Sequence, residues 1–145
     1  MRCKFCFILI VLLAAQFSFA SRTLCQDPKN APPLKAPKKL TLDQAVICEE
    51  IKDYAPYNSA AVFSITIGKV SCFTSFDPVP EKTFVYHKWY HLDKPSTKKR
   101  LTLQPPRWAT FTTIQLRETD KGPWRVEIYD KKDNLLHTLR FSITD

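Results

Sequence analysis

Strict alternation of apolar and polar residues, repeated in short runs, constrains this chain more than any other feature. The clearest run is Gly122-Pro123-Trp124-Arg125-Val126-Glu127-Ile128-Tyr129-Asp130. Trp124, Val126 and Ile128 fall on one side and Arg125, Glu127 and Tyr129 on the other, the period of a half-buried β-strand. The Gly-Pro pair breaks the chain ahead of it. Further strand-like runs occupy Ala45 to Ile51, Ala61 to Ile67, Val70 to Phe76, Phe84 to His91, Lys99 to Gln104, Ala109 to Arg117 and Leu135 to Ile143. Turn-forming residues separate them at Tyr54 to Ser59, Asp77 to Pro80, Asp93 to Ser96, Thr119 to Pro123 and Lys131 to Asn134. About seven or eight short strands with little helix predict an all-β fold, an antiparallel β-sandwich of immunoglobulin-like type. The segments Phe84 to His91 and Pro106 to Leu116 are the expected partners of the central strand. With only two Gly in the chain, Pro, Asn and Asp must supply most of the turns.

The N-terminal segment belongs to export rather than to the domain. Arg2 and Lys4 precede the uncharged run Phe5 to Ala15, and Ser18-Phe19-Ala20 offers small residues for cleavage between Ala20 and Ser21. The run is shorter than the roughly 20 residues of a membrane span, so no stable span is expected after cleavage. An uncleaved anchor and acylation of Cys25 are the weaker readings, the latter because Leu24, not a small residue, precedes the cysteine. Residues 21–40 hold Pro28, Pro32, Pro33 and Pro37 and read as an extended linker. Residues 41–145 are the domain.

The formal charge of +8 is concentrated upstream, leaving only +2 on residues 41–145. A near-neutral exported domain is a poor nucleic-acid reader, and none is expected as a partner. Removal of the signal leaves Cys25, Cys48 and Cys72. Export permits disulfides. Cys48 and Cys72 both lie in strand-like runs and are the expected pair, with Cys25 left over.

Three motifs are similar to those of a bacterial family, the domain of unknown function 2914. The family pattern runs His-x-Trp-Tyr, then Arg-Trp-Arg-Thr-Trp-Ser, then Gly-x-Trp-Arg-Val-Glu, then a hairpin into a Phe-x-Val strand. This chain has His87-Lys88-Trp89-Tyr90, Arg107-Trp108-Ala109-Thr110-Phe111-Thr112, Gly122-Pro123-Trp124-Arg125-Val126-Glu127 and Phe141-Ser142-Ile143. Cys72-Phe73-Thr74 resembles the strand ahead of the first motif. The resemblance covers roughly Ala45 to Asp145. It implies an envelope-associated β domain and no known activity. Ala109, Phe111 and Thr112 depart from the family's Arg, Trp and Ser, so a polar site built on that motif would be incomplete here.

His87 and His91 are four residues apart, roughly 13 Å along a strand, too far to share one metal ion. His87 therefore reads as a strand residue hydrogen-bonded to a neighbour, and no metal is expected. There is no nucleophile elbow and no Gly-rich phosphate loop, so no catalytic residue and no cofactor are assigned. Trp89 and Trp124 read as core, whereas Trp108 follows Pro105-Pro106-Arg107 at a strand end. Arg107, Trp108, His87 and Tyr90 form the candidate ligand-binding set. Arg107 and Arg125 are candidates for Arg–aromatic or Arg–carboxylate pairs, with Glu127 or Asp130 as partner. Two functions follow: a non-enzymatic accessory domain, periplasmic or secreted, that binds an envelope protein through an edge or face, or a module binding cell-wall glycan through exposed aromatics.

Overall fold

The computed structural model describes residues 39–145. The expected signal peptide with its Ala20/Ser21 junction, Cys25 and residues 21–38 of the expected linker lie outside the described residues. Among the described residues there are nine strands: β1 (Leu42–Lys52), β2 (Ala55–Ser59), β3 (Val62–Ser64), β4 (Lys69–Phe76), β5 (Thr83–His91), β6 (Lys94–Leu103), β7 (Trp108–Gln115), β8 (Gly122–Tyr129) and β9 (Leu135–Thr144). They form the expected sandwich. One sheet has the order β2-β1-β4-β7 and the other β3-β9-β8-β5-β6. All pairings are antiparallel except β3 with β9, which is parallel.

Three elements depart from the sequence expectation. Residues 55–59 form β2 rather than a loop; Pro56 is compatible with strand because β2 is an edge. The run from Ala61 to Ile67 breaks after β3 into a 3-10 turn, Ile65–Ile67, closed by Gly68 in the left-handed conformation at φ +73°. Strand β8 pairs with β5 as expected, but its other neighbour is β9; β7 lies in the opposite sheet beside β4. Alternation fixes which side of a strand is buried and not which sheet it joins.

Two hairpins close through pairs of left-handed residues, Asp53-Tyr54 between β1 and β2 and Leu92-Asp93 between β5 and β6. Both central residues at positive φ define the mirror-image turn that matches strand twist. Asp therefore does work usually given to Gly, as the shortage of Gly requires. At the β8–β9 hairpin the Asp130 carboxylate accepts from the backbone N–H groups of Lys132 and Asn134 at 2.8 and 2.9 Å.

The core has two parts. Ile47, Phe63, Val70, Cys72, Trp89, Trp124, Val126, Phe141 and Ile143 fill one. Phe76, Val79, Val85, Leu103 and Ile128 fill the other, with Leu40 packed against it. Trp89 meets Trp124 and Phe141 edge-on, with centroids 6.5 and 6.1 Å apart. Trp89 and Trp124 are thus core, as their alternation implied.

The expected Cys48–Cys72 disulfide is corrected. Both cysteines are buried free thiols. In the β1–β4 ladder Cys48 stands opposite Ser71 and Cys72 opposite Ile47. The one-residue offset sends the two side chains to opposite faces of the sheet. Cβ vectors that point apart cannot be bridged without moving the backbone.

Candidate functional site

The first candidate is the set of motif residues, and most of it is interior. His87 on β5 is fully buried, between Val85 of one core half and Trp89 of the other. Its Nδ1 lies 2.9 Å from Thr112 Oγ1 and its Nε2 lies 3.2 Å from Thr74 Oγ1. Trp89 Nε1 donates to the same Thr112 oxygen at 3.1 Å, and Thr74 Oγ1 donates to the Thr110 carbonyl at 3.4 Å. One assignment satisfies every partner. Thr112 accepts from Trp89 and donates to Nδ1, while Nε2–H donates to Thr74, leaving a neutral imidazole. Burial pulls the His87 pKa down from 6.5 to about 4.

The second motif's hydroxyl is what the network needs, and Thr112 supplies it where the family pattern has Ser. The other two departures, Ala109 and Phe111, lie on the opposite, exposed side of β7. The His-Trp motif is thereby a device that ties β4, β5 and β7 together across the sandwich. His91 is apart from this network, stacked on Trp124 with centroids 4.5 Å apart and with Nε2 3.0 Å from the Lys121 carbonyl.

The candidate ligand set does not assemble. His87 is in the core, and Tyr90 lies on the outer face of the five-stranded sheet. Arg107 and Trp108 sit at the start of β7 in the other sheet, with Trp108 39% exposed. Alternate residues of β5 instead build a different surface. Phe84, Tyr86, Lys88 and Tyr90 share the outer face, since Val85, His87 and Trp89 fill the inner one.

Cross-strand pairing adds Arg100 opposite Tyr86, Lys98 opposite Lys88, Tyr129 opposite Tyr86, Glu127 opposite Lys88 and Arg125 opposite Tyr90. Arg140 continues the row beside Arg125. Five cations therefore share one face whose own acid is Glu127. The cations lie over the rings: Lys98 over Tyr86 at 4.0 Å, Lys88 over Tyr129 at 3.6 Å, Arg100 over Phe84 at 3.9 Å and Arg125 over Tyr90 at 4.1 Å.

Arg125 donates to Glu127 at 2.8 Å and pairs with Asp93, so the expected Arg–carboxylate pair forms with Glu127. Burial raises the Glu127 pKa, but hydrogen bonds from Arg125 and Tyr129 outweigh it and hold the carboxyl below its ordinary value. Lys88 pairs with Asp133 at 2.9 Å. Among the described residues, Lys98, Arg100 and Arg140 have no carboxylate partner. Net charge hid this face because its cations come from four strands and are offset by acids in turns. The signal in the sequence was Phe84, Tyr86, Lys88 and Tyr90 at every second position.

Fold and side-chain placement define an all-β sandwich domain with an internal polar tie and one cation-rich outer face. Residues 82–143 match the family described as "Protein of unknown function (DUF2914)", the family that the motifs resemble. The match is narrower than the span suggested by the motifs, beginning just ahead of β5. No curated protein matches the chain. A crystal structure of Bifidobacterium adolescentis GH3 beta-glucosidase is similar at a TM-score of 0.36 and 10% identity, covering 72% of this chain and 17% of that one. The chain thus spans about a sixth of that protein's length, too slight a likeness to carry fold or activity across.

Proposed function

We propose that this is an exported, non-enzymatic interaction module, and that the outer face of the five-stranded sheet holds an acidic surface of an envelope protein. The observation behind this reading is the array of five cations, four of them resting on aromatic rings. A ring under a long cationic side chain restrains it at a defined place, so less freedom is lost when a carboxylate arrives. Neighbouring strands and alternate residues space such charges at about 5 and 7 Å, a pattern that selects partners by charge complementarity.

The alternative, a glycan module, would need free ring faces for sugars to stack on. On this sheet face the rings are already covered. Trp108 is half exposed but stands without a second aromatic on its own face of β7 beyond Thr110 and Thr112.

The test is capture from envelope extract by the full chain and by a Lys98→Glu/Arg100→Glu/Arg140→Glu variant. Capture of a specific protein that weakens with salt and is lost in the variant supports the proposal. Capture unaffected by the three reversals refutes it. Co-sedimentation with cell-wall sacculi, displaced by soluble glycan, would establish the carbohydrate reading in its place.

A further inference from the structure

The two sheets end in four edge strands, and three of them are guarded. β6 carries Pro95, Lys94, Lys98 and Arg100, and Lys99 on its inward side opposite His87. β2 has five residues, including Pro56 and the left-handed Asn58. β3 has three. Such short, charged or Pro-bearing edges resist pairing with another chain. β7 differs: its eight residues, Trp-Ala-Thr-Phe-Thr-Thr-Ile-Gln, include no charge, no Pro and no Gly.

The ladder shows which of its backbone groups are open. Residues of an antiparallel strand turn both N–H and C=O alternately toward and away from the partner. Leu116 N–H donates to the Gly68 carbonyl at 2.9 Å, so even-numbered residues address β4. Ala109, Phe111, Thr113 and Gln115 then present their N–H and C=O groups outward, and all four are exposed. A cleft of about 370 Å³ lies between the Thr113 to Gln115 end of this edge and Ser96, Thr97 and Lys99 of β6.

We propose that β7 accepts an extended segment of a partner protein as a fifth strand of the four-stranded sheet. The segment is about eight residues long, uncharged through its middle and acidic at both ends, because exposed Arg107 and Arg117 flank the open edge. Charge argues against a second copy of this chain as the occupant. The antiparallel self-pairing that uses all four open residues places Arg107 of one copy opposite Arg117 of the other at both ends, and like charges directly opposite are destabilising. This edge is separate from the cation-lined face, so either surface can fail without the other.

The experiment selects a phage-displayed decapeptide library on the full chain and reads backbone amide exchange with the enriched peptide bound. The expected peptides carry β-branched or aromatic residues centrally and Asp or Glu toward both ends. Slowed exchange is expected at Ala109, Phe111, Thr113 and Gln115. Thr113→Pro removes an outward N–H and should weaken binding at least about tenfold. Thr113→Ala, which loses only the 2.7 Å side-chain contact to Ser71, should bind as the parent does. Ala109→Pro provides the same test if Thr113→Pro does not fold. Enriched peptides that protect other amides, or that bind the Pro variants equally, overturn the proposal, as does the absence of enrichment. A dimer of the full chain that dissociates in the Pro variants would make a second copy the occupant and overturn it too.

Discussion

The buried His87 should make the domain acid-labile in a window set by one side chain. In the fold the imidazole is neutral, with Nδ1 accepting from Thr112 and Nε2–H donating to Thr74. Protonating Nδ1 would set two donors against the Thr112 hydroxyl, which already accepts from Trp89. Lys99 stands opposite His87 on β6, and the nearest titratable neighbour on β4 is Cys72; neither offers a counter-charge. With the folded pKa at about 4 and the unfolded value at 6.5, the unfolded chain binds the extra proton between these limits. Stability from this group is therefore complete above pH 6.5 and falls as pH drops toward the folded value. The two pKa values give a loss of about 2.5 kcal/mol on going from pH ~7.5 to pH ~4.5. That corresponds to a fall in Tm of roughly 10–20 °C for a domain of this size. Urea unfolding of the parent and of His87→Gln at both pH values measures it. The variant should be less stable near neutrality but lack this acid step, because carboxylate titrations are common to both proteins. Equal losses in parent and variant would refute the assignment of the step to His87.

Other perturbations reach the same architecture from different sides. Thr112→Val removes the hydroxyl shared by His87 and Trp89 and should cost roughly 2–4 kcal/mol in chemical denaturation, whereas Thr112→Ser should cost under about 1 kcal/mol because it keeps the hydroxyl. Gly122 has φ +116° and an added Cβ would lie 3.4 Å from Leu92 Cδ2; Gly122→Ala should cost about 1–3 kcal/mol in thermal unfolding. In a Cys25→Ser background, Cys48 and Cys72 should resist alkylation until the chain unfolds, since burial raises both thiol pKa values above 9.0. Reductant should leave the Tm of that variant unchanged; a reductant-sensitive Tm would restore the disulfide.

The strands were legible because a sandwich needs alternation and the chain supplies it almost everywhere. Gly122 to Tyr129 and Phe84 to His91 could be read as strands, and Trp89 and Trp124 as core, from spacing alone. What alternation cannot encode is the neighbour. The sheet membership of β7 depends on contacts with β4, about forty residues away in sequence. The same gap explains the cysteines: two strand residues look pairable until register places them on opposite faces. β2 was missed for another reason, since Pro56 signals a turn unless the strand is known to lie at an edge.

His87, with Trp89 and Thr112, is the clearest case of sequence chemistry used for folding. Their polar atoms satisfy one another between two apolar core halves, at a depth where an unpaired group would be costly. The surfaces available to a partner are therefore the ones these motifs leave outside. Tyr90 belongs to one of them, and Ala109 and Phe111, two of the three departures from the family pattern, belong to the other. At 109 and 111 the family's Arg and Trp would place a charge and a larger ring on the outward side of β7. Their replacement leaves this edge strand uncharged along its whole length. A strand without charge accepts another backbone more readily than one with Arg at its second position, so these departures bear on what β7 can bind while leaving the buried tie intact.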